Sequence, residues 1–136
     1  ELNKRVGILV AVSDNKVIGY EMPLDLDIAK EISLLDPFIE RFLKIGYNGK
    51  IIKDYKWIIE GQINLQNEYK GRGIAQNLHK EFIKMLKPRY ELIVTEISDQ
   101  NPRSLFFHKN KLGYKTVEKY SSNGRNWHIL IQDIKG

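Results

Sequence analysis

Trp57-Ile58-Ile59-Glu60-Gly61-Gln62-Ile63-Asn64-Leu65, followed after a short polar link by Lys70-Gly71-Arg72-Gly73-Ile74-Ala75, is the stretch that decides the fold. Side chains alternate between the two faces of a strand. Alternation puts Trp57, Ile59, Gly61, Ile63 and Leu65 on one face, which reads as buried core. Ile58, Glu60, Gln62 and Asn64 fall on the other, so that face carries three polar groups in a row. Gly61 marks a bulge or a close backbone approach. Asn67 to Gly73 reads as a loop. From about Gly73 to Leu86, Ile74, Leu78, Phe82 and Met85 recur at helical spacing, and Pro88 lies just beyond. Strand, Gly-containing loop and helix in that order make an anion site. The first helical turn leaves N–H groups unpaired at the positive end of the helix dipole. Glycine accepts positive φ and lets the backbone approach a ligand closely. Lys70 and Arg72 add positive charge.

Before this unit, the β-branched run Val6 to Val12, the polar turn Ser13-Asp14-Asn15-Lys16 and Val17-Ile18-Gly19-Tyr20 predict a β-hairpin. Asp25 or Asp27 caps a first helix running through Leu35. Asp36 as N-cap, with Pro37 at the first helical position, restarts it. Phe38, Ile39, Phe42, Leu43 and Ile45 give this second helix an apolar stripe, and Gly46 suits its stop. Tyr47 to Lys56 reads as a polar loop. After the unit come a strand over Leu92 to Ile97 and a helix over Asn101 to Lys111, stopped by Gly113. Two more strands, Tyr114 to Tyr120 and Trp127 to Ile134, are joined by Ser121-Ser122-Asn123-Gly124. The order β-β-α-α-β-α-β-α-β-β predicts one α/β domain over residues 1–136.

Bulk properties narrow the function. The 136 residues suffice for one core. A net charge of +5 suits an anionic ligand, but the charges are scattered, so nucleic acid is not indicated. The chain has no cysteine, which excludes disulfides, thiolate catalysis and Cys-based zinc sites, and fits a reducing cytoplasm. His79 and His128 show no carboxylate at metal-ligand spacing in the sequence, so no metal is expected. No apolar run is long enough to cross a bilayer and no signal peptide is visible, so a membrane is not expected either. The first residue is Glu1 rather than Met, which reads as a processed or truncated form.

Three kinds of phosphate loop can be compared with Lys70 to Ala75. A nucleotide P-loop needs Gly-x-x-x-x-Gly-Lys-Ser/Thr, which is absent. A dinucleotide fingerprint needs a third glycine where this chain has Gln76, although Glu96 lies about twenty residues on, where a ribose-binding acid belongs. Lys70-Gly71-Arg72-Gly73-Ile74-Ala75 resembles the Arg/Gln-x-x-Gly-x-Gly/Ala signature of the GNAT superfamily of N-acetyltransferases, with Lys70 in place of Arg or Gln. Asn101-Pro102-Arg103-Ser104-Leu105-Phe106-Phe107-His108, followed by Leu112-Gly113-Tyr114, resembles that superfamily's next motif. The run from His108 to Gly113 is one residue longer than usual. Val94-Thr95-Glu96-Ile97-Ser98 and the Trp127 strand resemble a bacterial subgroup. The resemblance covers about Gly7 to the C-terminus, with the superfamily's first strand and first helices missing or replaced.

The resemblance implies a GNAT-like mixed central β-sheet flanked by helices, and acetyl-CoA as cosubstrate. The cofactor would lie where the strands Trp57 to Leu65 and Leu92 to Ile97 splay apart. Ile63 and Leu65 would pair with the pantetheine arm through their backbone. Lys70, Gly71, Arg72, Gly73, Ile74 and Ala75 would take the pyrophosphate, and Asn101 and Ser104 would touch the far side of the arm. Glu60 is the first candidate base, with a solvated strand carboxylate as the alternative. Glu96 is the second, with a structural carboxylate as the alternative. His108 stands where the family has a Tyr that protonates the thiolate, and otherwise packs against the core. Tyr114, Trp57 and Trp127 read as core, Tyr69 as packing near the cleft mouth, and Lys109 to Lys111 as a solvated helix end. The implied function is acetyl transfer to a primary amine of a small molecule or peptide, with a homodimer allowed. The alternatives are a module that holds CoA or acyl-CoA without turnover and a basic adaptor for RNA or DNA.

Overall fold

The computed structural model describes residues 7–135, so Val6 and Glu1 lie outside the described residues. The order of elements is the predicted one. Strands β1 (Leu9–Ser13) and β2 (Lys16–Leu24) form the N-terminal hairpin, turning through Asp14 and Asn15, both at positive φ. Helices α1 (Leu26–Ala29) and α2 (Asp36–Phe42) follow, then the two-residue strands β3 (Gly46–Tyr47) and β4 (Lys50–Ile51). Strand β5 (Trp57–Leu65) leads to α3 (Ile74–Leu86) and β6 (Leu92–Ser98). Helix α4 (Pro102–Phe106) runs on into a π-helical turn, Phe107–Leu112, and the chain closes with β7 (Lys115–Ser122) and β8 (Arg125–Asp133).

The six longer strands make one mixed sheet in the order β1-β2-β5-β6-β8-β7. All neighbours are antiparallel except β5 and β6. One face packs Ile59, Val94, Ile129 and Ile131 against Ala29, Phe38 and Phe42 of α1 and α2. The other packs Ile58, Ile93 and Leu130 against Phe82 and Leu86 of α3 and Leu112 beyond α4. Phe42 and Phe82 are fully enclosed, one in each layer. Each contributes about 1.5–3 kcal/mol by leaving water. No helix among the described residues is long and apolar enough to cross a membrane.

Several local expectations change. Asp25 does cap α1, accepting from the Ile28 amide at 3.0 Å, but α1 ends at Ala29 and a 3-10 turn over Ser33–Leu35 replaces its second half. Asp36 is the first helical residue of α2 rather than its N-cap, because Leu35 is already helical. Gly46 does not stop α2, whose C-cap is Leu43; it opens β3. The expected polar loop holds a small hairpin turning at Asn48-Gly49, both at positive φ. This is the pairing that a two-residue hairpin turn demands.

The change that matters most is in β5. Met22 pairs with Gln62 and Pro23 with Glu60, so Gly61 is the extra residue of a bulge. Pro23, which lacks an N–H, sits at this break, where a residue without a donor costs least. The bulge reverses the alternation beyond it. Ile63 joins Ile58 on the α3 face instead of following Trp57 and Ile59. A Cβ on Gly61 would lie 3.1 Å from the Met22 Cε and 3.3 Å from the Leu24 Cβ. Gly61→Val is therefore expected to lower stability by about 1–3 kcal/mol through crowding. Urea denaturation measures this, and an unchanged midpoint would show that the bulge tolerates a branched side chain.

Candidate functional site

Parallel pairing between β5 and β6 covers only Trp57 with Leu92, Ile58 with Ile93 and Ile59 with Val94. Past that point the strands separate. The Thr95 hydroxyl donates to the Glu60 carbonyl at 3.1 Å, just beyond the last pair. On the α3 side, a cleft of about 760 Å³ opens over the far end of β5. Ile63, Leu65, Lys70, Gly71, Gly73, Ile74, Ala75, Asn101, Ser104 and His108 all line it. Arg72 does not; its guanidinium lies over the Tyr69 ring, 5.5 Å from the centroid. Glu60 and Glu96 do not line it either.

The cleft's phosphate end follows from local conformation. Gly71 and Gly73 have φ of 80° and 78°, the left-handed region that other residues enter at a cost of about 1–2 kcal/mol. Gly73 is the N-cap of α3, so no side chain caps the helix. The first intrahelical bond printed there is Asn77 N–H to the Gly73 carbonyl, leaving the amides of the first turn available. Lys70, Arg103 and Lys111 line the same space. Lys111 was expected on a solvated helix end, and Asn64, Gln76, Arg103 and Phe107 were not among the candidates. The signal for Arg103 and Lys111 was their spacing on the helix that carries His108.

The segment after β6 is set by Asn101 and by one extra residue. Asn101 Oδ1 accepts from the Ser104 amide at 3.3 Å and caps α4, and Pro102 opens the helix. The additional residue between His108 and Gly113 is taken up by the π-helical turn, closed by the Tyr114 amide donating to the His108 carbonyl at 2.9 Å. Gly113 ends it at φ of 91°.

Beneath the cleft lies a buried polar cluster. Glu60 is 3% exposed and is not a solvated strand carboxylate. Its Oε1 meets His108 Nε2 at 2.7 Å and its Oε2 accepts from the Tyr114 hydroxyl at 2.6 Å. Tyr114 is thus both core and polar partner. His108 Nδ1 lies 2.8 Å from the Ser104 carbonyl, which can only accept, so Nδ1 carries a proton. Glu60 accepts on both oxygens, and the pair is an imidazolium facing a carboxylate. Burial opposes both charges, but their mutual contact outweighs it, lowering the Glu60 carboxyl and raising His108.

A second pair adjoins the first. His79 and His128, expected to lack carboxylate partners, both have one: Glu21 for His79 and Asp99 for His128. Gln132 donates through its amide nitrogen to the Leu112 carbonyl at 2.8 Å, so its Oε1 faces His79 Nε2 at 2.6 Å and accepts from it. His79 Nδ1 then shares one proton with Glu21 Oε2 at 2.6 Å. Glu21, Glu60 and His79 each offer one ligand atom within 4.8 Å of one another. The close contacts of His79 and Glu60 are those of proton sharing, as just described.

On the opposite face of the sheet, Glu96 is half-buried two residues past the last β5–β6 pair, and accepts from the Tyr120 hydroxyl. Burial pushes its carboxyl up to about 7.

Glu21, fully enclosed, is pushed up to about 8 by burial, against the pull of His79. A folded value above the unfolded one means that the folded state holds this proton more tightly. The contribution is full below about 4.5 and is lost as the pH rises through about 8. His79 and His108, also raised, act with the same sign. Wild-type melting temperature is expected to fall between pH 6 and pH 9, and Glu21→Gln to flatten that fall. Calorimetry across the range checks it; parallel curves for the two proteins would remove Glu21 as the cause.

No protein-family model matches the chain, and a search of curated proteins finds no relative. Solved structures do match. An N-acetyltransferase from Staphylococcus aureus Mu50 aligns over 92% of this chain and 69% of its own, at 22% identity and a TM-score of 0.62. A protein assigned to the GNAT acetyltransferases from Desulfovibrio desulfuricans aligns over 93% and 68%, at 12% identity and 0.65. A GNAT acetyltransferase from Elizabethkingia anophelis, solved with acetyl-CoA bound, aligns over 91% and 73%, at 15% identity and 0.60. The mixed sheet, its single parallel pair and the glycine-led helix beside the divergence are the architecture these proteins share with it, and the chain has the fold of the GNAT acetyltransferases.

Proposed function

We propose that the protein transfers an acetyl group from acetyl-CoA to a primary amine of a small molecule or peptide, by direct attack of the amine on the thioester. The observation that carries this reading is the continuity of the cleft. One space runs from the divergence of β5 and β6, past Ile63 and Leu65, to the uncapped amides at the start of α3. Its volume is within the range of small-molecule sites. The amides, with Lys70, Arg103 and Lys111, suit a pyrophosphate and a ribose phosphate at one end. The apolar walls from Ile63, Leu65 and Phe107 suit an extended pantetheine arm.

Acetyl transfer needs a group to take the amine's proton and a group to protonate the leaving thiolate. Glu96 is the proposed base. It sits on the opposite face from the cleft, near the gap between the strands, half-buried rather than sealed. A carboxyl near 7 is half ionised at neutral pH and is strong enough to accept a proton from an ammonium that is losing its solvent. Glu60 is the wrong group for that step, since both its oxygens are held by His108 and Tyr114. Its proposed role is to hold His108 protonated beside the cleft.

Acetyl-CoA at millimolar concentration is expected to raise the melting temperature, because a ligand that binds only the folded state stabilises it. No rise would remove this reading. Glu96→Gln is expected to keep that rise and lower kcat by about 10²–10⁴-fold in CoA-release assays with a panel of primary amines. A rise in melting temperature with no amine accepted by the wild type would instead identify a CoA-holding module without turnover.

A further inference from the structure

His108 lines the cleft, yet neither of its ring nitrogens is free to face a ligand. Nε2 is bound to Glu60 at 2.7 Å, and Nδ1 to the Ser104 carbonyl at 2.8 Å. The Ser104 Oγ lies 3.3 Å from the same Nδ1. The Nδ1 proton is therefore shared between the carbonyl and hydroxyl oxygens of one residue. A hydroxyl that accepts from Nδ1–H keeps its own proton for another acceptor. Ser104 is partly exposed and lines the cleft, while His108 is 4% exposed. We infer that Ser104 delivers the proton to the departing thiolate and that His108, held by Glu60, is the reserve behind it.

This assignment rests on the acetyl-CoA reading above. In the step, the amine nitrogen bonds to the acetyl carbon and the carbon–sulfur bond breaks, leaving its electron pair on sulfur. The sulfur takes the Ser104 Oγ proton as Oγ takes the His108 Nδ1 proton. His108 ends neutral, still donating from Nε2 to Glu60, and recovers its proton from solvent through the open cleft after CoA leaves. Ser104 is then the catalytic residue. His108 and Glu60 act through it. The arrangement explains why a buried ion pair is built here at all: a neutral imidazole donating to the Ser104 carbonyl would have no proton to pass on. The charged and titratable groups around His108 are Glu60 from β5, Glu21 from β2, His79 from α3, Tyr114 ahead of β7, and Arg103 and Lys111 on its own helical segment. Glu60 dominates among them, with Glu21 neutralised by the proton it shares with His79.

The test does not require the acceptor amine. CoA itself is bound, and its thiolate is followed by ultraviolet difference absorbance as the pH is raised. A donated hydroxyl proton backed by an imidazolium stabilises the thiolate. Its appearance is expected about one pH unit lower than in free CoA. Ser104→Ala is expected to return it to the free value, Ser104→Thr to retain the shift, and His108→Gln to abolish it, with the melting rise on CoA binding kept in each. With an amine that turns over, Ser104→Ala is expected to lower kcat about 10²-fold and leave KM for acetyl-CoA nearly unchanged. Titration of bound CoA in Ser104→Ala at the wild-type pH overturns the assignment while leaving the acetyl-CoA reading intact. An acetyl group found on Ser104 by intact-protein mass spectrometry overturns it too, in favour of a nucleophilic serine. Absence of CoA binding to the wild type removes both.

Discussion

Three residue pairs hold β5 to β6, and the fold's capacity for chemistry depends on their number being so small. A parallel ladder continued along both strands would leave nothing between them but backbone hydrogen bonds. Stopping it at Ile59 and Val94 leaves polar groups of both strands unmatched, a cost that a ligand lying along β5 can offset. Thr95 satisfies the Glu60 carbonyl just past the last pair. The Gly61 bulge then turns Ile63 to the helix side. Helices α3 and α4 can flank the opening because each is anchored on Ile58 and Ile93 below it.

The buried polar cluster is the second constraint. Two carboxylates and two imidazoles inside one layer of a small protein are costly to desolvate, and breaking either pair leaves a charge in a poor environment. What offsets the cost is near-complete satisfaction. Glu60 accepts twice, His79 is bound at both nitrogens and Gln132 is fixed from both ends. Glu21 Oε1 is the exception, buried without a partner, and is the natural place for the shared proton's charge to go uncompensated. The cluster joins β2, β5, α3, the start of β7 and β8. It therefore ties the cleft's floor to strands on both sides of the divergence.

Most of the scaffold was legible. Helix α3 and its glycine start follow directly from Ile74, Leu78, Phe82 and the loop before them. Strand order does not follow from periodicity, but the resemblance to a known superfamily carried it. What escaped was long-range. A bulge writes only a glycine into the sequence, and the pairing partner that makes it a bulge, Pro23, lies some forty residues away. Glu21, His79 and Gln132 look unrelated along the chain because each sits in a different element. Glu60 looked like a surface carboxylate on alternation alone, since nothing local announces that His108 and Tyr114 will close over it. Asn48-Gly49 was a local signal and could have been read as a hairpin.

The π-helical turn has a consequence beyond absorbing a residue. Removing one residue from Phe107–Leu112 would rotate everything after it by about 100° about the helix axis. Gly113 and Tyr114 would then present a different edge to the sheet, and the phenol would lose its reach to Glu60. Length here and the carboxylate at Glu60 are thus one inherited unit. A chain shortened at this point gains nothing by keeping an acid at that position, and a chain that acquires the acid needs the longer turn to bury it.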